Sequence, residues 1–155
     1  MPSDAADIKA RIASQFIARI PHSSELGMQL EEIGHGVAVI SMPYDKRFIG
    51  DLRTGVIHGG AISALMDTCS GAAVVGAIQT LDETATLDLR IDYMRPATPG
   101  QRITARATCY HVTRTVAFVR AIAYDDDSET PIATAAGAFT NGSGGEMRRS
   151  SEATS

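Results

Sequence analysis

The chain has 155 residues, 44% of them hydrophobic and 21% charged, with a formal net charge of −4 and a pI near 5.5. This length fits one domain that buries about 70% of its unfolded surface, so neither a disulfide nor a metal is needed to fold it. The acidic balance argues against a nucleic-acid binder, which carries a basic patch and a high pI, but not against a small anionic ligand held by local arginines. The two cysteines, Cys69 and Cys109, form no Cys-x-x-Cys pair and no metal-ligand spacing. Both read as reduced and buried in a cytoplasmic protein, with no cofactor and no metal. Asp4 and Asp7 interrupt any apolar run at the start, so no secretory signal is expected.

In chain order, residues 4–20 predict an amphipathic helix that packs on the domain. Ile8, Ile12, Phe16 and Ile20 recur every four residues with Ile17 beside them, and Ser3 or Asp4 can cap it. Residues 21–26 read as a connector. Strands are expected at 28–32 and 36–42, as a hairpin around Gly34-His35-Gly36. Residues 43–57 read as an irregular loop of mixed charge, and a loop of that length is more often functional than idle.

Residues 59–78 predict a helix with small residues on nearly every side, which suits a helix enclosed by its surroundings. The run 61–78 is nearly long enough to span a bilayer. Asp67 near its centre costs about 3 kcal/mol there, with few large apolar residues to offset it, so no membrane span is expected.

Residues 84–95 alternate, with Leu87, Leu89, Ile91 and Tyr93 on one face and Thr86, Asp88, Arg90 and Asp92 on the other, as in a half-exposed antiparallel strand. After a turn at 96–100, Ile103, Ala105, Ala107 and Cys109 alternate with Arg102, Thr104, Arg106 and Thr108. Further strands are expected at 115–124 and 131–140, around an acidic turn at 125–129. The stretch from Asn141 lacks apolar periodicity and predicts a disordered tail. The division is therefore 1–24 as N-terminal helix and connector, 25–140 as the domain and 141–155 as the tail. The fold class is α+β, one antiparallel sheet wrapped around a long central helix, with an added N-terminal helix.

Between Arg53 and Asp82 the only formally charged residue is Asp67, nine positions after His58. His58-Gly59-Gly60, Leu65-x-Asp67 and the strand ending Tyr93-Met94-Arg95-Pro96-Ala97 together resemble the hotdog-fold acyl-CoA thioesterases, in particular the phenylacetate-degradation type. The similarity runs over residues 25–140. The resemblance implies hydrolysis of acyl-CoA to free acid and CoA. Asp67 would attack the thioester or activate water, the Gly59 N–H would hold the carbonyl oxygen, and Thr86 would place the water. His58 would orient substrate or hold the helix start, the second being favoured. Gly60, Asp51 and Ser70 complete the expected substrate contacts. Related enzymes often carry an Asn in the loop before the His-Gly-Gly, where this chain has Asp51-Leu52-Arg53. For the CoA phosphates the first candidates are Arg90, grouped with Thr86 on one strand face, and Arg114 in a turn. Lys46, Arg47, Arg95 and Arg106 stand behind them.

Thioester hydrolysis needs a nucleophile or base and donors for the developing oxyanion. A helix start offers unpaired N–H groups, and glycine lets the backbone come close to substrate. Gly59 and Asp67, however, lie about 12 Å apart along one helix at 1.5 Å per residue. The lean of the Asp67 side chain toward the N-terminus closes only a little of that gap. Two helices related by a two-fold axis can bring Gly59 of one copy to Asp67 of the other, which predicts a homodimer with shared sites and leaves a tetramer of two dimers open. The alternatives are a non-catalytic acyl-CoA-binding protein and a hydratase or dehydratase using His58 and Asp67. Gly71, Ala72 and Ala73 leave room for a bulky acyl group.

Overall fold

The sheet is built from strands whose inward positions are mostly alanine. In a computed structural model the described residues are 15–78 and 84–141. Of the expected N-terminal helix, residues 4–14 lie outside the described part and 15–18 are helical. The expected tail also lies outside it, from 142 on. The stretch read as a connector contains a short helix, α1 (Pro21–Glu25), started by proline in its first turn, where the missing N–H costs nothing.

β1 (Gln29–Gly34) and β2 (Val37–Met42) form the expected hairpin. Its two-residue turn, His35-Gly36, has φ of 52° and 76°, the positive values that a tight hairpin turn needs. Residues 43–57, expected to be irregular, contain a 3-10 turn at Lys46–Phe48 and a small two-stranded sheet of β3 (Ile49–Asp51) and β4 (Val56–Ile57). Asp45 caps the 3-10 turn by accepting from the Arg47 N–H at 2.9 Å. This local hydrogen bonding carries no hydrophobic period, so sequence patterning does not reveal it.

The central helix α2 (Gly59–Ile78) is followed by β5 (Thr86–Tyr93), β6 (Ile103–Val112), β7 (Val116–Tyr124) and β8 (Ala133–Thr140). The main sheet is antiparallel in the order β1-β2-β6-β7-β8-β5, and α2 packs on all six strands. Ala38, Ala105, Ala107, Ala117, Ala123 and Ala133 are fully buried. These short side chains let α2 lie close against the sheet, where Ile62, Leu65, Met66 and Cys69 fill the space between them. More than half of the apolar window of α2 is buried inside the fold. Burial pushes the Cys69 thiol up to about 12, and its one S–H lies between the carbonyls of Ala38 and Ala105, each 3.3 Å from Sγ and either able to accept it. Cys109, expected to be buried, is only half-buried.

Two expectations change. First, α2 is not enclosed on every side, because Ser63, Ala64, Asp67, Thr68 and Val75 form a partly open stripe. Ala72 and Ala73 face the sheet and are fully buried, so of the three small residues expected to make room only Gly71 borders a cleft. Second, β5 is one of the two edge strands, and its alternation is broken. A register shift lies between Thr86 (opposite Phe139) and Asp88 (opposite Ala138). The bulge reverses the phase of the strand's first residues. Leu87, expected inside, is 57% exposed, while Thr86 turns its hydroxyl to α2. Gly137 permits this, since a Cβ there would stand 2.5 Å from the Asp88 carbonyl oxygen.

Candidate active site

β4 delivers the chain to His58, whose N–H donates to the Phe48 carbonyl at 2.8 Å. α2 begins at the next residue. The Gly60 N–H donates to His58 Nδ1 at 2.8 Å, and the Ala61 N–H to the His58 carbonyl at 3.0 Å. With Nδ1 accepting, the neutral ring carries its proton on Nε2. Among the described residues the Gly59 N–H meets no acceptor. The first turn of α2 therefore presents one unclaimed donor, where the helix dipole favours negative charge.

Tyr93, at the end of β5, fixes the other side of this turn. Its hydroxyl donates to the Gly59 carbonyl at 2.8 Å. It also bonds the Ser63 hydroxyl, and since its one proton is committed to Gly59, Ser63 is the donor of that pair. The ring lies beside Gly59, with its nearest atom 3.5 Å from where a Cβ would be. Sequence reasoning placed no role on Tyr93 beyond its membership of the strand-ending motif, and only the fold shows that this strand end meets the helix start.

Two turns further along α2, Asp67 Oδ1 accepts from the Thr86 hydroxyl at 2.7 Å. Among the described residues Oδ2 has no hydrogen-bond donor and remains available. The pair borders a cleft of about 540 Å³, within the usual range for small-molecule sites. Phe16 and Ile20 form one wall, Thr86 and Phe139 another, and Gly71 and Val75 continue the floor.

The nearby hydroxyls are otherwise engaged. Thr68 shares a 3.2 Å hydrogen bond with Ser23, tying the N-terminal segment to α2. Ser70 is fully buried, does not border the cleft and has no partner for its hydroxyl among the described residues. His58 and Gly60 line a second groove of about 360 Å³ with His22, Arg47 and Phe48. The Gly60 N–H is taken by the His58 ring, which leaves Gly59 alone as the free donor.

Asp51 closes its own turn. It accepts from the Arg53 N–H at 3.0 Å and from the Arg53 side chain at 3.3 Å, which holds its carboxyl below the usual range. Arg90 pairs with Asp92 at 3.2 Å on the exposed side of β5, and the bulge separates it from Thr86. Arg47 joins Glu25 and Asp45, Arg106 joins Glu32, and Arg95 joins the buried Asp125. Arg114 lies in the β6–β7 turn, between Val112 and Val116. Among the described residues no three His, Cys, Asp or Glu side chains gather closely enough to hold a metal.

The thioesterase superfamily model matches residues 54–132, from the turn before His58 to the residue preceding β8. The medium/long-chain acyl-CoA thioesterase YigI of Escherichia coli is 27% identical over 129 residues, which cover 75% of this chain and 83% of that protein. A crystal structure from Pseudomonas aeruginosa superposes with a TM-score of 0.76 at 41% identity, covering 83% of this chain and 96% of that one. A mutant of the phenylacetic acid degradation protein PaaI from Thermus thermophilus gives a TM-score of 0.66 at 27% identity, covering 78% and 98%. The chain belongs to the thioesterase superfamily and carries its hotdog fold.

Proposed function

We propose that this chain hydrolyses acyl-CoA thioesters, with Asp67 as nucleophile or general base and Thr86 holding it in place. The carrying observation is the 2.7 Å bond from Thr86 to Asp67 Oδ1, which leaves Oδ2 free at the floor of an open cleft. As base, Oδ2 takes a proton from water while the new hydroxide adds to the thioester carbonyl. As nucleophile, Oδ2 adds to the carbonyl itself. In both cases the C–S bond then breaks and the thiolate of CoA leaves. On the base route it takes the proton held by Asp67. On the nucleophile route water then cleaves the acyl–Asp67 anhydride, releasing the acid and restoring the carboxylate. The name of the Escherichia coli relative supports acyl-CoA as the substrate.

The negative charge on the carbonyl oxygen needs a donor, and the free Gly59 N–H of a second copy supplies it. About 12 Å separates Gly59 from Asp67 within one helix, too far for both to touch one carbonyl. A two-fold partner aligned on the exposed β5 edge removes this difficulty. β5 leaves Leu87 at 57% and Tyr93 at 50% exposure, with Met94 just beyond it at 56%, an unprotected edge that soluble proteins normally cover or pair. Purified protein incubated with acyl-CoA and a thiol reagent tests the reading. CoA release that disappears in Asp67→Asn supports it. Release unchanged by that substitution, or none from the wild type, overturns it. The enoyl absorbance of an enoyl-CoA, if it falls without thiol release, would identify a hydratase instead.

A further inference from the structure

The cleft continues past Asp67 toward the C-terminal half of α2, where Gly71 and Val75 border it. Phe16, Ile20, Gly71, Val75 and Phe139 make the lining beyond Asp67 and Thr86 more apolar than polar, with Gln15, Arg19, His22 and Thr84 also on its border. Asp67, Gly71 and Val75 are four residues apart in turn, so they follow one side of the helix over about 12 Å. Gly71 is the narrowest residue possible at the middle of this floor, and a Cβ there would meet only the Phe139 ring, at 3.9 Å. The outer wall is fixed rather than loose. Ile17 is buried between Phe16 and Ile20, and Ser23 bonds Thr68.

We infer that this extension is the acyl-chain channel, and that Gly71 and Val75, beneath the wall of Phe16 and Ile20, set the length of chain accepted. The inference rests on the proposed thioester hydrolysis for placing the carbonyl beside Asp67. A carbon chain with bonds of about 1.5 Å and angles near 111° advances about 1.25 Å per carbon, so a channel of about 12 Å holds about eight to ten carbons. The occupant is thus a medium-length aliphatic chain, because the cleft offers it more apolar than polar surface. Glycine in mid-helix costs stability relative to alanine, a cost that an open channel accounts for.

The test uses acyl-CoA substrates of four to sixteen carbons beside their non-hydrolysable thioether analogues, on wild type, Gly71→Leu and Val75→Phe. Wild-type affinity for the thioethers should rise about fourfold per added methylene up to about ten carbons and then level off. In Gly71→Leu the ratio of decanoyl to butyryl affinity should fall about 250-fold, since about four carbons lose their place. Val75→Phe should trim the profile from the far end by about two carbons. Leucine favours helix over glycine, and Val75→Phe gives a second reading if Gly71→Leu does not fold. Length profiles that stay superimposable in a folded variant overturn the channel, even if the protein hydrolyses every substrate. A channel response in binding with no CoA release upholds the channel and overturns the hydrolysis.

Discussion

Thr86 reaches Asp67 across 19 residues of sequence because a bulge turns the first residues of β5 over. Its hydroxyl occupies one carboxylate oxygen and leaves the other for chemistry. Asp67→Asn should therefore lower kcat by about a thousandfold or more, as expected when a nucleophile or base is removed. Thr86→Val, which keeps the shape and removes the bond, should lower kcat by about 10- to 100-fold with KM nearly constant. Steady-state kinetics on folded variants checks both, and a Thr86→Val enzyme with wild-type kcat removes Thr86 from the site.

The bulge depends on Gly137 in the neighbouring strand. A methyl group there would meet the Asp88 carbonyl at 2.5 Å and Leu89 Cδ1 at 2.8 Å. Backbone must move to make room, at about 1–3 kcal/mol. Gly137→Ala should lower the thermal midpoint and also reduce kcat by about 10-fold or more, because Thr86 shifts with the strand. Loss of stability with full kcat in the folded enzyme would show that the bulge does not place Thr86.

Hydrophobic period and composition revealed the central helix, the hairpin and the strands, since burial of one face forces those patterns. They failed where an extra residue breaks the period. Strict alternation put Thr86 beside Arg90 and Leu87 inward, and the bulge reverses both. They failed again at 43–57, where side-chain caps and a two-stranded ribbon order a stretch without apolar rhythm. Asp67 stood out because a lone carboxylate in an apolar helix is costly unless used. The Tyr93 contact with Gly59 had no such signal, because it depends on which strand ends beside which helix start.

Tyr93 holds the Gly59 peptide by its hydroxyl and by its ring. Tyr93→Phe keeps the ring and removes the hydrogen bond. Acting only through the orientation of Gly59, it should lower kcat by about 3- to 10-fold and leave KM close to wild type, a small part of the 100- to 1000-fold that loss of a whole oxyanion donor costs. A change confined to KM would place Tyr93 in substrate binding instead.

Shared sites make a sharper expectation. One chain carrying Asp67→Asn is mixed with another carrying Gly59→Pro, a substitution tolerated at the first helical position that removes the N–H. Each homodimer should be nearly inactive. In the mixed dimer one site combines the intact Asp67 with the intact Gly59, so about half the wild-type activity per dimer should return. Tagging the two chains separately and purifying the mixed species measures this. No recovery in a folded mixed dimer excludes the shared site.

The Arg95–Asp125 pair gives the fold a dependence on acid. Asp125 has no exposed side-chain surface, and it accepts from both terminal Arg95 nitrogens at 2.7 and 2.8 Å and from the Thr98 N–H at 3.0 Å. The Arg95 guanidinium holds its carboxyl far below the usual range. A carboxylate depressed in the folded state adds stability above its unfolded pKa of about 3.9 and loses it as pH falls below that value. Above pH 5 this group should contribute a constant amount. Asp125→Asn should cost about 3–5 kcal/mol at pH 7, because the arginine keeps its charge and loses its partner. Between pH 5 and pH 2 the wild type should weaken faster than the variant and the gap between them should narrow. Urea unfolding across that range checks the sign, and two parallel curves would show that Asp125 gains nothing from its ionised form in the fold.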